Sequence, residues 1–342
     1  MKEEDKPMDD RYSRQRLFAP IGEVGQLRIR QARVLIVGMG ALGTVLANHM
    51  VRSGIGTVRM VDRDYVEPSN LQRQMLYDEA DAAACQPKVV AARDKLGAVN
   101  SEVALEAHIA DVGPHNVGEL LQGMDLVLDG TDNFQTRLLL SDACFRCGIP
   151  FIYGGAVRAH GMTAIFIPGR TCCYRCLVGA QEGGGPTCDT VGVISPIIDI
   201  IASFQAVEAL KYIVAGHGAV REKLLTLDVW HDQRFDMKLP PAREDCPVCA
   251  RHAYPALEEA EPGAVTLCGR DSVQIAGRRP LDLAAWAERL ASIGDVQRNP
   301  YLLRVSLGQD ERLVLFPDGR VLVQGTTDLG RAQALYDRYI GS

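Results

Sequence analysis

What the sequence lacks narrows it first. No block of lysine and arginine is dense enough to read as a nucleic-acid footprint, and the net charge of −6 (37 basic against 43 acidic side chains) argues against a polyanionic polymer as partner. The opening MKEEDKPMDD is charged and holds no apolar core of a secretion signal. No apolar run is unbroken: the longest, VGVISPIIDIIASFQAVEALKYIVAG, contains Asp199, Glu208 and Lys211, which argues against a membrane span. Nor does any segment repeat. These absences lead us to expect a cytoplasmic globular chain. In a reducing compartment its ten cysteines make a poor disulfide framework, so those paired at short spacing point to metal binding or reactivity.

With 342 residues, 47% hydrophobic and 23% charged, the chain can form one full α/β domain and a smaller second one. Residues 11–31 read as an amphipathic helix. ARVLIVGMGALGTVLANHMVRSG then reads as buried strand, glycine turn and helix, and strands and helices alternate onward to MDLVLDG. That alternation predicts a Rossmann-like, doubly wound, mostly parallel sheet, with IPFIYGGAVRA and GMTAIFIPG as an antiparallel continuation. A helix is expected over 193–215 and a strand in KLLTLDVW. The boundaries we expect are a disordered tail over 1–10, a main domain over 11–252, a linker over 253–264 and a small α+β module over 265–342. In that module FPDGRV signals a hairpin, because Asp318-Gly319 supplies the positive-φ residues of a tight turn.

Chemistry gathers at strand ends. Gly38, Gly40 and Gly43 of GMGALG lie between a strand and a helix, where glycines admit phosphate to the backbone and the helix N-terminus offers unpaired N–H groups. Asp62 ends the next strand, about 20 residues on, where an acid can bind ribose hydroxyls. To this point a nicotinamide-dependent oxidoreductase fits as well as an ATP enzyme. The balance shifts at SNLQRQ, with Ser69, Asn70 and Arg73, at Lys88 in QPK, and at Asp132 and Asn133 in DGTDN. An enzyme that attacks a triphosphate needs side-chain cations to neutralise developing charge and a carboxylate for magnesium. Each residue also has a plainer reading: a solvated turn, an exposed lysine, a helix cap.

The cysteines form a second signal. Cys173 and Cys176, with Cys246 and Cys249, make two C-x-x-C pairs about 70 residues apart, a set suited to a closed tetrahedral zinc site. Cys188, in GGGPTCDTVGV just before a helical stretch, sits where a helix N-terminus would depress a thiol pKa and suit a nucleophile; a small buried hydrophobe is the alternative. Cys85, Cys144, Cys147 and Cys268 read as structural.

RYSRQ, VLIVGMGALG, DRD, SNLQRQ, QPK, LDGTDN, CYRC, TCDTVGV and CPVC occur in an order that resembles the MoeB/ThiF/HesA adenylyltransferases, bacterial relatives of ubiquitin-activating enzymes, over residues 11–252. The resemblance implies an enzyme that uses MgATP to adenylate the C-terminal glycine of a ubiquitin-like sulfur-carrier protein, ThiS- or MoaD-like and ending in Gly-Gly, ahead of thiocarboxylate formation. The thiamin pathway is slightly favoured over molybdopterin. The resemblance further implies Asp62 with Asp64 at the ribose, Ser69, Asn70, Arg73 and Lys88 near phosphate, and Asp132 at magnesium beside Asn133. It implies Arg14 reaching the other subunit of a homodimer, zinc on the four paired cysteines, and Cys188 as the residue that in some members bonds to the carrier. Ala41 stands where many members have a third consecutive glycine, and Cys85 where glycine is common. The C-terminal module lacks the Cys-Arg-x-Gly loop of a rhodanese, so sulfur is expected from a separate donor protein. A non-catalytic scaffold that binds a ubiquitin-like partner is the remaining alternative.

Overall fold

The computed structural model describes residues 10–179, 191–259, 263–267, 271–277, 279–308 and 310–341. Those up to 259 form one compact unit, except 84–86 and 191–192, which cluster with the residues after 260 in a second unit.

In the larger unit the expected helix over 11–31 is broken. A short turn leads into α1 (Ser13–Arg16), and α2 (Gly22–Gln31) begins only after Pro20, whose ring cannot continue a helix, and Gly22 at φ +57°. β1 (Arg33–Val37), α3 (Ala41–Ser53) and β2 (Thr57–Asp62) follow, with α3 closed by Gly54 in the left-handed region. Next come α4 (Glu79–Ala83), α5 (Lys88–Val99), β3 (Ala104–Ile109), α6 (Val117–Leu121) and β4 (Leu126–Asp129). The unit continues with α7 (Phe134–Cys147), β5 (Phe151–Val157), β6 (His160–Phe166), α8 (Tyr174–Val178), α9 (Ser195–Ala215), β7 (Lys223–Asp228) and β8 (Gln233–Lys238).

The strands form one eight-stranded sheet in the order β3-β2-β1-β4-β5-β6-β7-β8, parallel through β5 and antiparallel beyond it. This is the expected doubly wound sheet with its antiparallel continuation; β8 is the strand the sequence did not signal. Strands β1 and β4 are almost wholly buried, as parallel strands covered on both faces must be. The chain order reverses between β1 and β4, so a crevice opens at their carboxyl ends, where such sheets bind ligands. No helix among the described residues is long and apolar enough to cross a membrane. Glu208, which interrupts the apolar run of α9, is 3% exposed and is matched by Lys211 and by the Arg221 Nε at 3.0 Å each.

In the smaller unit the described elements are β9 (Ala264–Leu267), β10 (Ser272–Ile275), α10 (Leu283–Leu290), β11 (Val296–Arg298), β12 (Leu303–Ser306), β13 (Arg312–Leu315), β14 (Val321–Gln324) and α11 (Leu329–Tyr339). Among the described residues the strands form one antiparallel six-stranded sheet, β11-β12-β13-β14-β10-β9. Asp282 and Asp328 cap its helices with side-chain oxygens, and the expected hairpin turns at Gly319, φ +99°. Leu290, Leu303, Val305, Leu313, Val323 and Ala332 are among the side chains of its core.

Candidate nucleotide site and cysteine cluster

At the reversal point the glycine turn after β1 lies directly on the turn after β4. A Cβ on Gly43 would stand 1.8 Å from the Gly38 carbonyl oxygen, and one on Gly130 would stand 2.3 Å from that same oxygen. Side chains are therefore excluded at Gly43 and Gly130, where the backbones of the two turns meet. Ala41, the departure from three consecutive glycines, is the first residue of α3 and takes ordinary helical geometry.

Acids and a lysine close in around this contact. Asp62 accepts a hydrogen bond from the Met39 N–H at 2.6 Å on one carboxylate oxygen and from the Asp64 N–H at 2.7 Å on the other. Burial pushes the Asp62 carboxyl pKa up, against the opposing pull of Lys88. Lys88, at the first turn of α5, is 1% exposed, and its Nζ lies 3.4 Å from Asp64 Oδ2. A buried lysine whose main-chain N–H is also held by the Asp64 carbonyl, at 3.0 Å, is not the solvated side chain of the plainer reading.

Tyr77, which the sequence did not single out, and Gln74, the last residue of SNLQRQ, complete the frame. The Tyr77 hydroxyl lies 2.7 Å from the Met39 carbonyl and 3.2 Å from the Lys88 carbonyl, so it links the glycine turn to α5, donating to one at a time. Burial pushes its pKa well up, which keeps it a neutral donor. Gln74 is 3% exposed, its Nε2 is 3.8 Å from where a Gly40 Cβ would stand, and its Oε1 is buried with no partner among the described residues. A buried acceptor left open beside a glycine cradle fits a bound polar ligand. Tyr77 belongs to no motif, and SNLQRQ by itself assigns Gln74 no role; the fold brings both to the turn.

SNLQRQ folds on itself. Asn70 is 2% exposed and accepts the Glu67 N–H at 3.1 Å, and Arg73 Nη1 donates to the Ser69 carbonyl at 2.8 Å. Asn70 thus shapes the turn, Ser69 anchors the arginine through its main chain, and Arg73 is half-buried. Beyond β4, Asp132 is exposed and near enough to Arg63 to favour that guanidinium's charge. Asn133 is the N-cap of α7: its Oδ1 accepts the Thr136 N–H at 3.0 Å, the work foreseen in its plainer reading.

Arg14 is not brought to this set. Its neighbour Gln15 bonds the Ser53 carbonyl at 3.0 Å, at the end of α3 opposite the glycine turn. That is about 20 Å away by helical rise along α3. Cys188 lies outside the described residues. Cys85 has φ +48°, the left-handed region that glycine enters most readily.

Cys173, Cys176, Cys246 and Cys249 form one group with all four sulfurs within 4.8 Å of one another. Neighbouring Sγ atoms are separated by 3.6 Å (Cys173–Cys246), 3.8 Å (Cys173–Cys176) and 3.9 Å (Cys176–Cys249). Those spacings fit the edges of a tetrahedron with Zn–S bonds of about 2.3 Å. Main-chain N–H groups of Cys173, Cys249 and Arg243 point at the sulfurs of Cys249, Cys246 and Cys176 from 3.3–3.5 Å, the donors that thiolates require. Asp142, fully buried, braces the cluster: it holds Arg175 with two bonds of 2.8 and 2.9 Å and accepts the Ala256 N–H at 3.0 Å.

Residues 12–248 match the model of the ThiF family. The chain belongs to the ThiF family. It is 43% identical over 340 residues, 98% of this chain and all of the relative, to the sulfur carrier protein ThiS adenylyltransferase of Bacillus subtilis (strain 168). It is 37% identical over 244 residues, 70% of this chain and 96% of the relative, to the molybdopterin-synthase adenylyltransferase of Escherichia coli (strain K12). Among solved structures, E. coli MccB with ATP matches with a TM-score of 0.61 at 22% identity, covering 70% of this chain and 75% of that one, a likeness of fold alone. The ThiF-family match ends at the cysteine cluster, leaving the six-stranded unit outside it.

Metal analysis of the purified ThiF-family chain should return one zinc per chain. Cys246→Ser should lose the metal and lower the unfolding temperature, because structural zinc contributes on the order of 10 kcal/mol to small metal-dependent folds. A metal-free, equally stable wild type would show the four thiols to be an ordinary buried cluster.

Proposed function

We propose that this enzyme adenylates the C-terminal glycine of a ubiquitin-like sulfur-carrier protein, releasing pyrophosphate and leaving an acyl-adenylate ready to become a thiocarboxylate. The observation that carries the reading is the buried Lys88 set with Asp62 and Asp64 beside the glycine contact. A carboxylate is a poor electrophile, and AMP supplies its leaving group. Lys88 and Arg73 stabilise the charge that shifts onto phosphate, the glycine turn and the α3 N-terminus receive phosphate oxygens, and Asp62 receives the ribose. Asp132 would hold Mg2+, which neutralises phosphate charge when bound. The carrier's globular body would dock on the open face of β6–β8. There Met162, Thr226 and Phe235 form one row across paired strands, with Met237 further along, and Met162, Phe235 and Met237 are exposed.

The thiazole branch of thiamin synthesis is favoured because similarity to the B. subtilis relative continues through the six-stranded unit, whereas the E. coli molybdopterin relative matches 70% of the chain. A separate protein would donate the sulfur. The position of Arg14, remote from its own glycine turn, fits a homodimer in which it completes the partner's site. Exposed Leu17, Phe18, Val24 and Leu27 on and beside α1 and α2 offer the apolar surface for that pairing. Four reduced cysteines in one cluster suit the cytoplasm.

ATP–pyrophosphate exchange with candidate carriers ending in Gly-Gly tests this directly. Wild type should exchange with one carrier, Arg73→Ala should lose about a hundredfold or more, and Cys188→Ala should retain exchange because adenylation precedes any thiol chemistry. No exchange with any carrier from a folded protein would leave the scaffold reading in its place.

Phe235→Asp should raise the KM for the carrier about tenfold with kcat nearly unchanged, as expected for a docking contact remote from the reacting atoms. An unchanged KM would remove the β6–β8 face from carrier recognition.

A further inference from the structure

We propose that Arg137 is the positioning residue of the proposed ATP site, holding the loop that presents Asp132, and that Tyr174 of the cysteine knuckle fixes Arg137 in turn. The inference deepens the functional reading above and rests on it.

Three acceptors converge on one guanidinium. Arg137 Nε donates to Asp129 Oδ2 at 2.9 Å, and Nη2 lies 2.5 Å from the Thr131 carbonyl and 3.1 Å from the Gly154 carbonyl. The other Asp129 oxygen accepts from both Thr131 groups, N–H at 2.8 Å and Oγ1–H at 2.6 Å. The loop is thus tied to α7 and β5 up to the residue before Asp132. From the opposite side Gln205 Nε2, on α9, donates to the Asp129 carbonyl at 2.9 Å and to the Ile152 carbonyl at 3.2 Å. Asp129 has no exposed surface, so these bonds have no water to compete with them. Burial alone would lower the Arg137 pKa; the Asp129 carboxylate outweighs it and holds the guanidinium above its ordinary range. Arg137 therefore stays charged.

The far face of the guanidinium is set by aromatic rings. It lies 5.1 Å from the Tyr153 ring centre, and Tyr153 packs against Tyr174 at 5.1 Å. Because Tyr174 stands between Cys173 and Cys176, the knuckle and the Asp132 loop are joined through a single arginine. A cluster with no open position would then contribute to the reaction by geometry alone.

The test is a double-mutant cycle on ATP binding, measured by calorimetry with and without Mg2+ and without carrier, followed by ATP–pyrophosphate exchange. Arg137→Lys should remove most of the Mg2+-dependent gain in ATP affinity, leave affinity for metal-free ATP within about twofold, and lower exchange kcat about a hundredfold, the scale of a misplacement near 1 Å. Asp132→Asn should do the same, and the double variant should lose no more than Asp132→Asn, since one residue acts through the other. Tyr174→Leu, which removes the ring packed on Tyr153, should give a smaller loss of the same kind with zinc content unchanged. If Arg137→Lys does not accumulate, Thr131→Val, which deletes one tie to Asp129, should show the same non-additive pattern with Asp132→Asn. Losses that multiply independently, or that fall equally on metal-free ATP, would overturn the positioning role while wild-type exchange stands. A wild type that neither binds ATP nor exchanges pyrophosphate would sink this inference together with the functional reading.

Discussion

The structure depends on a backbone contact with no room for a side chain. The turn after β1 and the turn after β4 meet through Gly38, Gly43 and Gly130, where a single Cβ would fall within 2.7 Å of a carbonyl oxygen. That proximity aligns the N-terminus of α3 with the loop that carries Asp132, and it gives Asp62 and Tyr77 fixed main-chain groups of Met39 to hold. Without it the two halves of the sheet could still pair, but the acids and cations at their ends would not face one crevice.

Charge in this crevice is arranged against the character of the whole chain. The protein is acidic overall, yet Lys88 is buried and Arg73 half-buried near the phosphate positions we propose. Lys88 is costly to desolvate, and Asp64 with Asp62 offsets that cost. In the function we propose, a nucleotide would redistribute this existing pair. The open acceptor of Gln74 belongs to the same logic: a polar atom kept dry beside the glycine turn is tolerated where a ligand completes it.

Much of this was legible in the sequence, and what was not has physical reasons. The parallel strands announced themselves as apolar runs, the glycine turn by its spacing, and the cysteine set by two short intervals that the fold brings within one tetrahedron. Strand β8 was missed because all six of its residues are exposed, which leaves no alternation to read. Residues 11–31 were read as one helix because their periodicity outlasts the break at Pro20. Tyr77 and Arg137 act through contacts with segments remote in the chain; no local pattern separates a buried tyrosine that bridges two carbonyls from one that merely fills a core. Asn70 and Asn133 show the reverse. Both stand in motifs that resemblance links to nucleotide, and both spend a side-chain oxygen on the main chain of their own turn.

That last pair bears on how such motifs persist. A turn that presents a cation or a magnesium ligand must be rigid before it can be specific, so a motif records the residues that build the turn along with the one that touches the ligand. In SNLQRQ the asparagine closes the turn and the arginine uses it; in DGTDN the aspartate and threonine of the first three positions lock to Arg137, and the exposed Asp132 comes next. The order of residues in the chain is then the order of support. Groups nearest the strand hold the loop, and Asp132, beyond them, is left exposed.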